Sequence, residues 1–318
     1  MTIRLPEPFF EKLQQIIPAD KLDSVLQSFS AEKAIAFRVN TLKADIEETV
    51  ATLRASGFEL TPVAWYPAAF TLPLVQKRAL TETTQFRDGH IYIQNLASQI
   101  APIALAPQPE ETVLDLAAAP GGKTTLIAAL MQNEGRLSAV EPVRDRFFRL
   151  KANLDQQGVT MARTYMTDGR SVGNKCPQMF DRILLDAPCS SEARFDLNDA
   201  DSMSHWSPAK IKETSHKQRR LLLSAMYALK PGGKLLYCTC AFAPEENELS
   251  VAHLLRDHHD EMEIVPIELP AEFPKAVIQQ GLTSWQGKTL PEGLVNAIRI
   301  LPDAIYDGFF MCMLQKKA

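Results

Sequence analysis

From about residue 108 onward, short apolar runs alternate with longer stretches in which apolar positions recur every three to four residues. That alternation predicts strand and helix in turn, and so a mostly parallel α/β sheet. Strands are expected at Thr112–Leu116, Gly135–Val140, Arg163–Met166, Arg182–Leu185 and Lys234–Thr239, with a last one at Phe309–Leu314. Helices are expected over Lys123–Met131, Arg144–Gln157, Pro208–Leu229 and Glu245–Arg256. The second helix carries Phe147, Phe148, Leu150 and Leu154 at helical spacing and is closed by Gly158. The third has proline at its start and Pro231-Gly232-Gly233 past its end.

Residues 1–90 follow a different pattern. Ala36–Leu42 is strand-like, Asp45–Ser56 is helical and ended by Gly57, and Val63–Trp65 and Ala69–Leu72 are short strand candidates. A small module of helix and antiparallel strands fits, and a helix over Gly89–Leu105 is expected to join it to the rest. The division that follows is an N-terminal module over 1–90 and a larger α/β domain over 91–318.

Composition narrows the class. The 318 residues, 46% hydrophobic and 23% charged, suit an ordinary soluble protein with a large core. No apolar run approaches the ~18 residues of a membrane helix, and Met1–Pro8 lacks a signal-peptide core. A cytoplasmic protein with no membrane partner is therefore expected. The five cysteines, Cys176, Cys189, Cys238, Cys240 and Cys312, are odd in number and lack framework spacing, so free thiols are expected. Cys238-x-Cys240 has no second Cys/His pair beside it, and no metal is expected. A net charge of −4 argues against nucleic-acid binding by overall positive charge. It leaves room for local basic faces at Arg144, Arg146, Arg149 and Lys151, and along Lys210–Arg220.

Acids close four successive strands: Asp115, Glu141, Asp168 and Asp186. Ligands of open α/β sheets bind at the carboxyl ends of strands, and a row of acids suits hydroxyls and amines better than phosphates. Helix N-capping accounts for part of any one of them. Between the first two lies Ala117-Ala118-Ala119-Pro120-Gly121-Gly122-Lys123-Thr124, which has two readings. Gly122-Lys123-Thr124 matches the end of a phosphate-binding P-loop, and Ile183–Asp186 resembles the strand and acid that hold magnesium. Ala117 then stands where that loop needs its first glycine. The other reading is an S-adenosylmethionine site: Gly121-Gly122 allows close backbone approach, Glu141 takes the ribose hydroxyls, Asp168 lies near the adenine and Asp186 faces the reacting centre. Only the second reading gives work to Cys189 and Cys240, one at each of two strand ends. A thiolate adding to C6 of a cytosine makes C5 nucleophilic, so that C5 can accept a methyl group.

Taken together, the motifs resemble the Nol/Nop/Sun family of RNA 5-methylcytosine methyltransferases. The matching residues are Asp115–Thr124 (DLAAAPGGKT), Asp186–Ser190 (DAPCS), Trp206–Pro208, Pro231–Gly233, and Thr239-Cys240 followed by Pro244–Glu248. Arg38–Lys43, Gln94 with Ala97-Ser98, and Asp307–Phe310 are further landmarks, so the resemblance covers nearly the whole chain. It implies a Rossmann-like class I methyltransferase domain with a mostly parallel seven-stranded sheet, preceded by a small α/β RNA-recognition-like domain. It also implies roles: Cys240 as nucleophile, Cys189 as the thiol that assists release of the product, Asp186 and Lys123 as the pair that orients and protonates the cytosine. Residues 117–123, Glu141, Asp168 and Asp186 correspond to the cofactor contacts. Ala117 replaces a frequent cysteine, Ser191 and Ala193 replace common glycines, and Asp196 sits where basic residues are frequent. The chain ends soon after Leu314, so the extra C-terminal RNA-binding domain of some relatives is not expected.

The reading favoured is methyl transfer from S-adenosylmethionine to C5 of a cytosine in structured RNA, with small-subunit rRNA preferred to tRNA. A P-loop ATPase, an RNA-assembly factor with decayed chemistry and a DNA cytosine methyltransferase stand as alternatives. The last leaves Thr239-Cys240 without a role.

Overall fold

Two sheets organise the computed structural model, which describes residues 4–318. Met1–Ile3, part of the stretch read as lacking a signal-peptide core, lie outside the described residues. The chain opens with α1 (Glu7–Ile16) and α2 (Ala19–Ser28), which start behind Pro6 and Pro18. Then come β1 (Ile35–Val39), α3 (Ile46–Ala55), β2 (Thr61–Pro62), β3 (Ala69–Leu72), α4 (Lys77–Thr81), α5 (Thr84–Arg87) and β4 (Ile91–Ile93). Asp45 caps α3 by accepting from the Glu48 amide at 3.0 Å. The four strands form an antiparallel sheet in the order β2-β3-β1-β4. Phe37, Val39, Leu53, Phe70 and Ile91 fill a core belonging to this sheet.

The segment expected to be one joining helix, Gly89–Leu105, is split. Ile91–Ile93 pairs with β1, and α6 (Leu96–Leu105) starts only after Asn95, whose side chain accepts from the Ala97 amide at 2.7 Å. Ile-Tyr-Ile is β-prone, and tertiary pairing overrides the helical reading there.

The large sheet follows: β5 (Thr112–Asp115), α7 (Gly122–Leu130), β6 (Arg136–Val140), α8 (Arg144–Gln156), β7 (Ala162–Tyr165), α9 (Val172–Lys175), β8 (Phe180–Asp186), α10 (Pro208–Ala228), β9 (Leu229–Thr239) and α11 (Glu248–His258). Short strands β10 (Met262–Val265), β11 (Ile278–Gln280), the hairpin β12 (Ser284–Trp285) with β13 (Lys288–Thr289), and β14 (Ile298–Ile300) precede β15 (Phe309–Lys316). The order is β11-β14-β15-β9-β8-β5-β6-β7, with β10 also on β15. From β9 to β7 all neighbours are parallel, and β15 runs antiparallel to β9.

The Rossmann-like architecture is as expected, with nine strands in the sheet in place of seven. The surplus arises because β15 is long enough to pair with β10 along 313–316 and with β14 along 309–311. Strands of three or four residues leave little periodicity to read. Along α8 only Leu150 and Leu154 are buried, and Phe148 stays 52% exposed.

Helices α1 and α2 do not join the small sheet's core. Phe9, Leu13, Val25 and Phe29 pack into the large domain, where the Phe9 ring lies 4.9 Å from that of Phe195. Deeper in that domain, Arg299 is buried and forks onto buried Glu248, with Nε to Oε1 at 2.8 Å and the second arm to Oε2 at 2.5 Å. Removing one partner of such a pair strands the other charge without solvent. Arg299→Leu is expected to destabilise the fold by about 3–5 kcal/mol in urea unfolding, and Arg299→Leu with Glu248→Leu by less. Equal losses for single and double variants would overturn this.

Candidate active site

The parallel strands end on one edge of the sheet, and the turns leaving them surround a cavity of about 640 Å³. Ala117 to Pro120, Gly122, Lys123, Glu141, Asp168, Asp186, Cys189 and Cys240 all line it. Asp115, not among the sequence-derived site residues, lies at its base.

Gly121 is the one candidate that does not line the cavity. It adopts φ 113°, a left-handed conformation that favours glycine, and a Cβ there would press on Leu150 Cδ1 at 3.1 Å. It seats the loop against α8. Gly122 meets the close approach that the sequence suggested, but from the N-terminal module: a Cβ would come within 2.9 Å of the Tyr92 ring. Arg38, buried in β1, fixes the same contact by donating to Gln94 Oε1 at 3.1 Å and to Thr125 Oγ1 at 2.7 Å.

The loop is not built for a triphosphate. A P-loop needs its lysine and its hydroxyl free for phosphates and magnesium. Here Lys123 Nζ donates to Asp186 Oδ2 at 2.6 Å, and Thr124 Oγ1 donates to buried Asp115 at 2.7 Å. Burial works against the charge on Lys123, but the Asp186 carboxylate and nearby thiols outweigh it and raise its pKa. Asp115 is pushed up to about 7 by burial, against the Thr124 hydrogen bond, and its Oδ1 has no partner among the described residues.

Glu141 is buried, with Oε1 accepting from the Val143 amide at 2.8 Å. Arg146 lies 3.7 Å from its Oε2 and donates to the Ala119 carbonyl at 2.8 Å, tying α8 to the loop. Asp168 caps the turn Gly169–Ser171 and is forked by Arg170, whose hydrogen bonds hold its carboxyl down at about 2. An acid-rich donor set of this kind, with one buried unpartnered carboxyl oxygen, fits a cationic cofactor that bears hydroxyls and an amine.

The two thiols line the same cavity. Cys189 Sγ and Cys240 Sγ are 3.2 Å apart. Strand β9 carries Cys240 past its end, and the Asp186–Ser190 turn brings Cys189 beside it. Cys240 comes down to about 7: the hydrogen bond from Cys189 contributes most, burial opposes it, and Arg194 and Ser191 add to it. Cys189 is driven well above its usual range by the same hydrogen bond and by burial. The pair therefore ionises first at Cys240, with Cys189 kept as the thiol beside it. Cys238 points to the same region, 3.8 Å from Asp186 Oδ1, but is buried and pushed up.

Two buried carboxyls brace the turn. Glu192 accepts from the Phe242 and Ala243 amides, each at 2.8 Å, and from Trp206 Nε1 at 2.9 Å. Glu246 accepts from Ser190 and from Thr214 Oγ1, and burial pushes it up to about 7. The Trp206 and Pro244–Glu248 motifs thus act through hydrogen bonding that holds the thiols in register. The sequence reading missed Tyr92, Ser191, Arg194 and Lys217 as cavity residues. Lys217 was read only as part of the basic stretch Lys210–Arg220 and Ser191 only as a replaced glycine, and neither reading tells which way a side chain faces.

A parallel sheet with acids at its strand ends over a glycine-opened helix is the framework of a Rossmann-like methyltransferase. A family model described as 16S rRNA methyltransferase RsmB/F matches residues 102–315. A second, the N-terminal domain of 16S rRNA methyltransferase RsmF, matches residues 5–96. The chain belongs to the RsmB/F family of 16S rRNA methyltransferases. It is similar to ribosomal RNA small subunit methyltransferase F of Vibrio campbellii, 36% identical over 99% of this chain and 64% of that protein. The same-named protein of Escherichia coli is 35% identical, with the same two shares. The chain thus spans about 64% of the length of these curated relatives. Among solved structures, a methyltransferase homologue from Pyrococcus horikoshii is 31% identical, with a TM-score of 0.79 over 98% of this chain and 100% of that one. NSun6 from the same organism, solved with SFG, shares the fold at 20% identity and a TM-score of 0.80, over 98% of each chain.

Proposed function

We propose that the chain methylates C5 of a cytosine in small-subunit rRNA, using S-adenosylmethionine and a covalent bond between Cys240 and the base. The observation that carries this reading is the paired thiols, 3.2 Å apart, in the same cavity as the acid-lined loop. Glu141, Asp168 and residues 117–122 would hold the cofactor, which supplies an electrophilic methyl group when bound.

The protein's own residues account for the rest. Cys240, held as thiolate, adds to C6 and leaves C5 electron-rich. Asp186 would accept from the amino group of the cytosine, and the proton it shares with Lys123 at 2.6 Å would pass to N3 as C6 is attacked, which favours that addition. Once the Cys240 sulfur is bonded to carbon, it no longer takes the Cys189 hydrogen bond. The main cause that raises the Cys189 pKa is then gone, so Cys189 can release its own proton to solvent and, as thiolate, take the C5 proton while the C6–S bond breaks and Cys240 leaves as thiolate. The target base must be unpaired or flipped out to reach Cys240, which lies at the cavity wall.

The domain division belongs to the same reading. The sheet β1–β4, over residues 35–93, is proposed as the RNA-contacting module, and α1–α2 as part of the catalytic domain on which they pack. Small-subunit rRNA is preferred to tRNA because the matched relatives carry that name. Among the described residues no helix is long and apolar enough to cross a membrane.

The test uses the full chain, radiolabelled S-adenosylmethionine, and either unmodified 16S rRNA within small subunits or a pool of tRNA, with bisulfite sequencing to locate the product. Label at a single cytosine of the small subunit is expected. Label in tRNA alone would overturn the substrate, and saturable cofactor binding without label in either RNA would overturn the activity.

A further inference from the structure

We propose that Arg194 and Ser191 form a thiolate-holding pair for Cys240, supplied by the turn that follows the Asp186–Ser190 motif, with Arg194 a positioning residue. The inference rests on the reading of Cys240 as the nucleophile.

The turn is latched to the strand end it serves. The Ala193 amide donates to the Cys240 carbonyl at 3.0 Å, and the Arg194 amide to the Ser191 carbonyl at 2.9 Å. Glu192, between them, anchors to the two amides at 242 and 243. Ser191 sits at φ 60°, ψ 30°, in the left-handed region that disfavours a side chain. It stands where the resembled family commonly has glycine, and its Oγ lies 3.8 Å from Cys240 Sγ. A serine kept in a glycine's conformation beside a nucleophile places a hydroxyl donor that glycine does not have.

Arg194 lines the cavity with both thiols, and its guanidinium makes no hydrogen bond or ion pair among the described residues. Several other groups face Cys240. Lys123, from α7, is matched by Asp186. Asp186, at the end of β8, opposes a second negative charge, and Cys238, on β9, is kept protonated by burial. Asp307, in the segment before β15, acts on Arg194 and is itself bound by Lys33 and Asn95. Cys189 gives Cys240 its largest help through their 3.2 Å contact, and because the lysine–aspartate pair is close to neutral as a unit, the remaining charge that favours the thiolate is that of Arg194. Arginine keeps its charge at every pH at which the protein is folded. The Cys240 proton goes to solvent, and the thiolate stands ready before RNA arrives.

Alkylation of Cys240 by iodoacetamide, followed by peptide mass spectrometry across about pH 5 to 10, reads its thiolate fraction. The full chain is used, with no RNA or cofactor. Arg194→Ala is expected to raise the midpoint by roughly one pH unit, which at neutral pH cuts the thiolate fraction about fivefold. Single-turnover methylation should fall in parallel and recover in alkaline buffer. Arg194→Lys should restore most of the midpoint, and Arg194→Gln should not. Ser191→Gly should melt no lower than the parent yet shift the midpoint upward by a smaller step. If Arg194→Ala fails to fold, the Lys and Gln variants carry the comparison. An unmoved midpoint in Arg194→Gln, or no rescue by lysine, overturns the proposal. Alkylation needs no turnover, so this outcome is separate from failure of the methyltransferase reading, which full activity of Cys240→Ala would signal.

Discussion

Cys240→Ala is expected to lower methylation on the order of 10⁴-fold or more, the scale on which enzymes suffer when they lose a nucleophile. The loss should fall on kcat. Glu141, residues 117–120 and Gly122 reach the cavity from other turns than the one that carries Cys240, so the S-adenosylmethionine dissociation constant by calorimetry should hardly change. The fold should also survive. Cys240 is only partly buried, and its structural contact is the carbonyl that takes the Ala193 amide, which alanine keeps. A variant that binds cofactor normally, melts normally and still methylates would remove Cys240 from the chemistry and the covalent step with it.

Cys189→Ala should fail in the opposite way, by holding on to the product. Without the neighbouring thiol, Cys240 can still add to C6, but the step that takes up the C5 proton lacks its acceptor. A protein–RNA adduct stable on a denaturing gel is expected, absent from the parent and from the Cys189→Ala/Cys240→Ala double variant. The two phenotypes are diagnostic because the residues are 3.2 Å apart and share one hydrogen bond. If the geometry merely tolerated two thiols, the single variants would behave alike. An adduct formed by Cys240→Ala in place of Cys189→Ala would exchange the two roles.

Both variants alter the ionisation of the site, and their pH profiles separate the causes. Cys189 supplies the largest contribution that lowers Cys240, so its loss raises the Cys240 pKa from about 7. Adduct formation by Cys189→Ala should therefore favour a more alkaline buffer than turnover by the parent.

Much of the catalytic architecture was legible because it is written in short range. β5, β8 and β9 are buried on both faces, and their near-continuous apolar runs mark a parallel sheet. Residues at or just past the carboxyl end of a parallel strand share one sheet edge, so Asp115, Glu141, Asp168, Asp186 and Cys240 could be placed together from their spacing to the strands. Periodicity failed where elements were short, as at β4, β10 and β14, or where a helix packs on a distant partner, as α1 and α2 do. Whether Gly121 or Gly122 borders the cavity was equally closed to inspection, since both suit the same turn.

The amino-acid sequence by itself determined the strand order's raw material, the acid and thiol inventory, and which turn each reactive group occupies, because local backbone preferences and side-chain alternation act within a few residues. Only the tertiary structure decided that Lys123 is spent on Asp186 and Thr124 on Asp115, that the two thiols touch, and that Arg194, without a side-chain partner among the described residues, lines the same cavity. Those facts are distances between residues tens of positions apart. A charge or a thiol takes its character from what faces it across such a gap, and only the packed fold sets that.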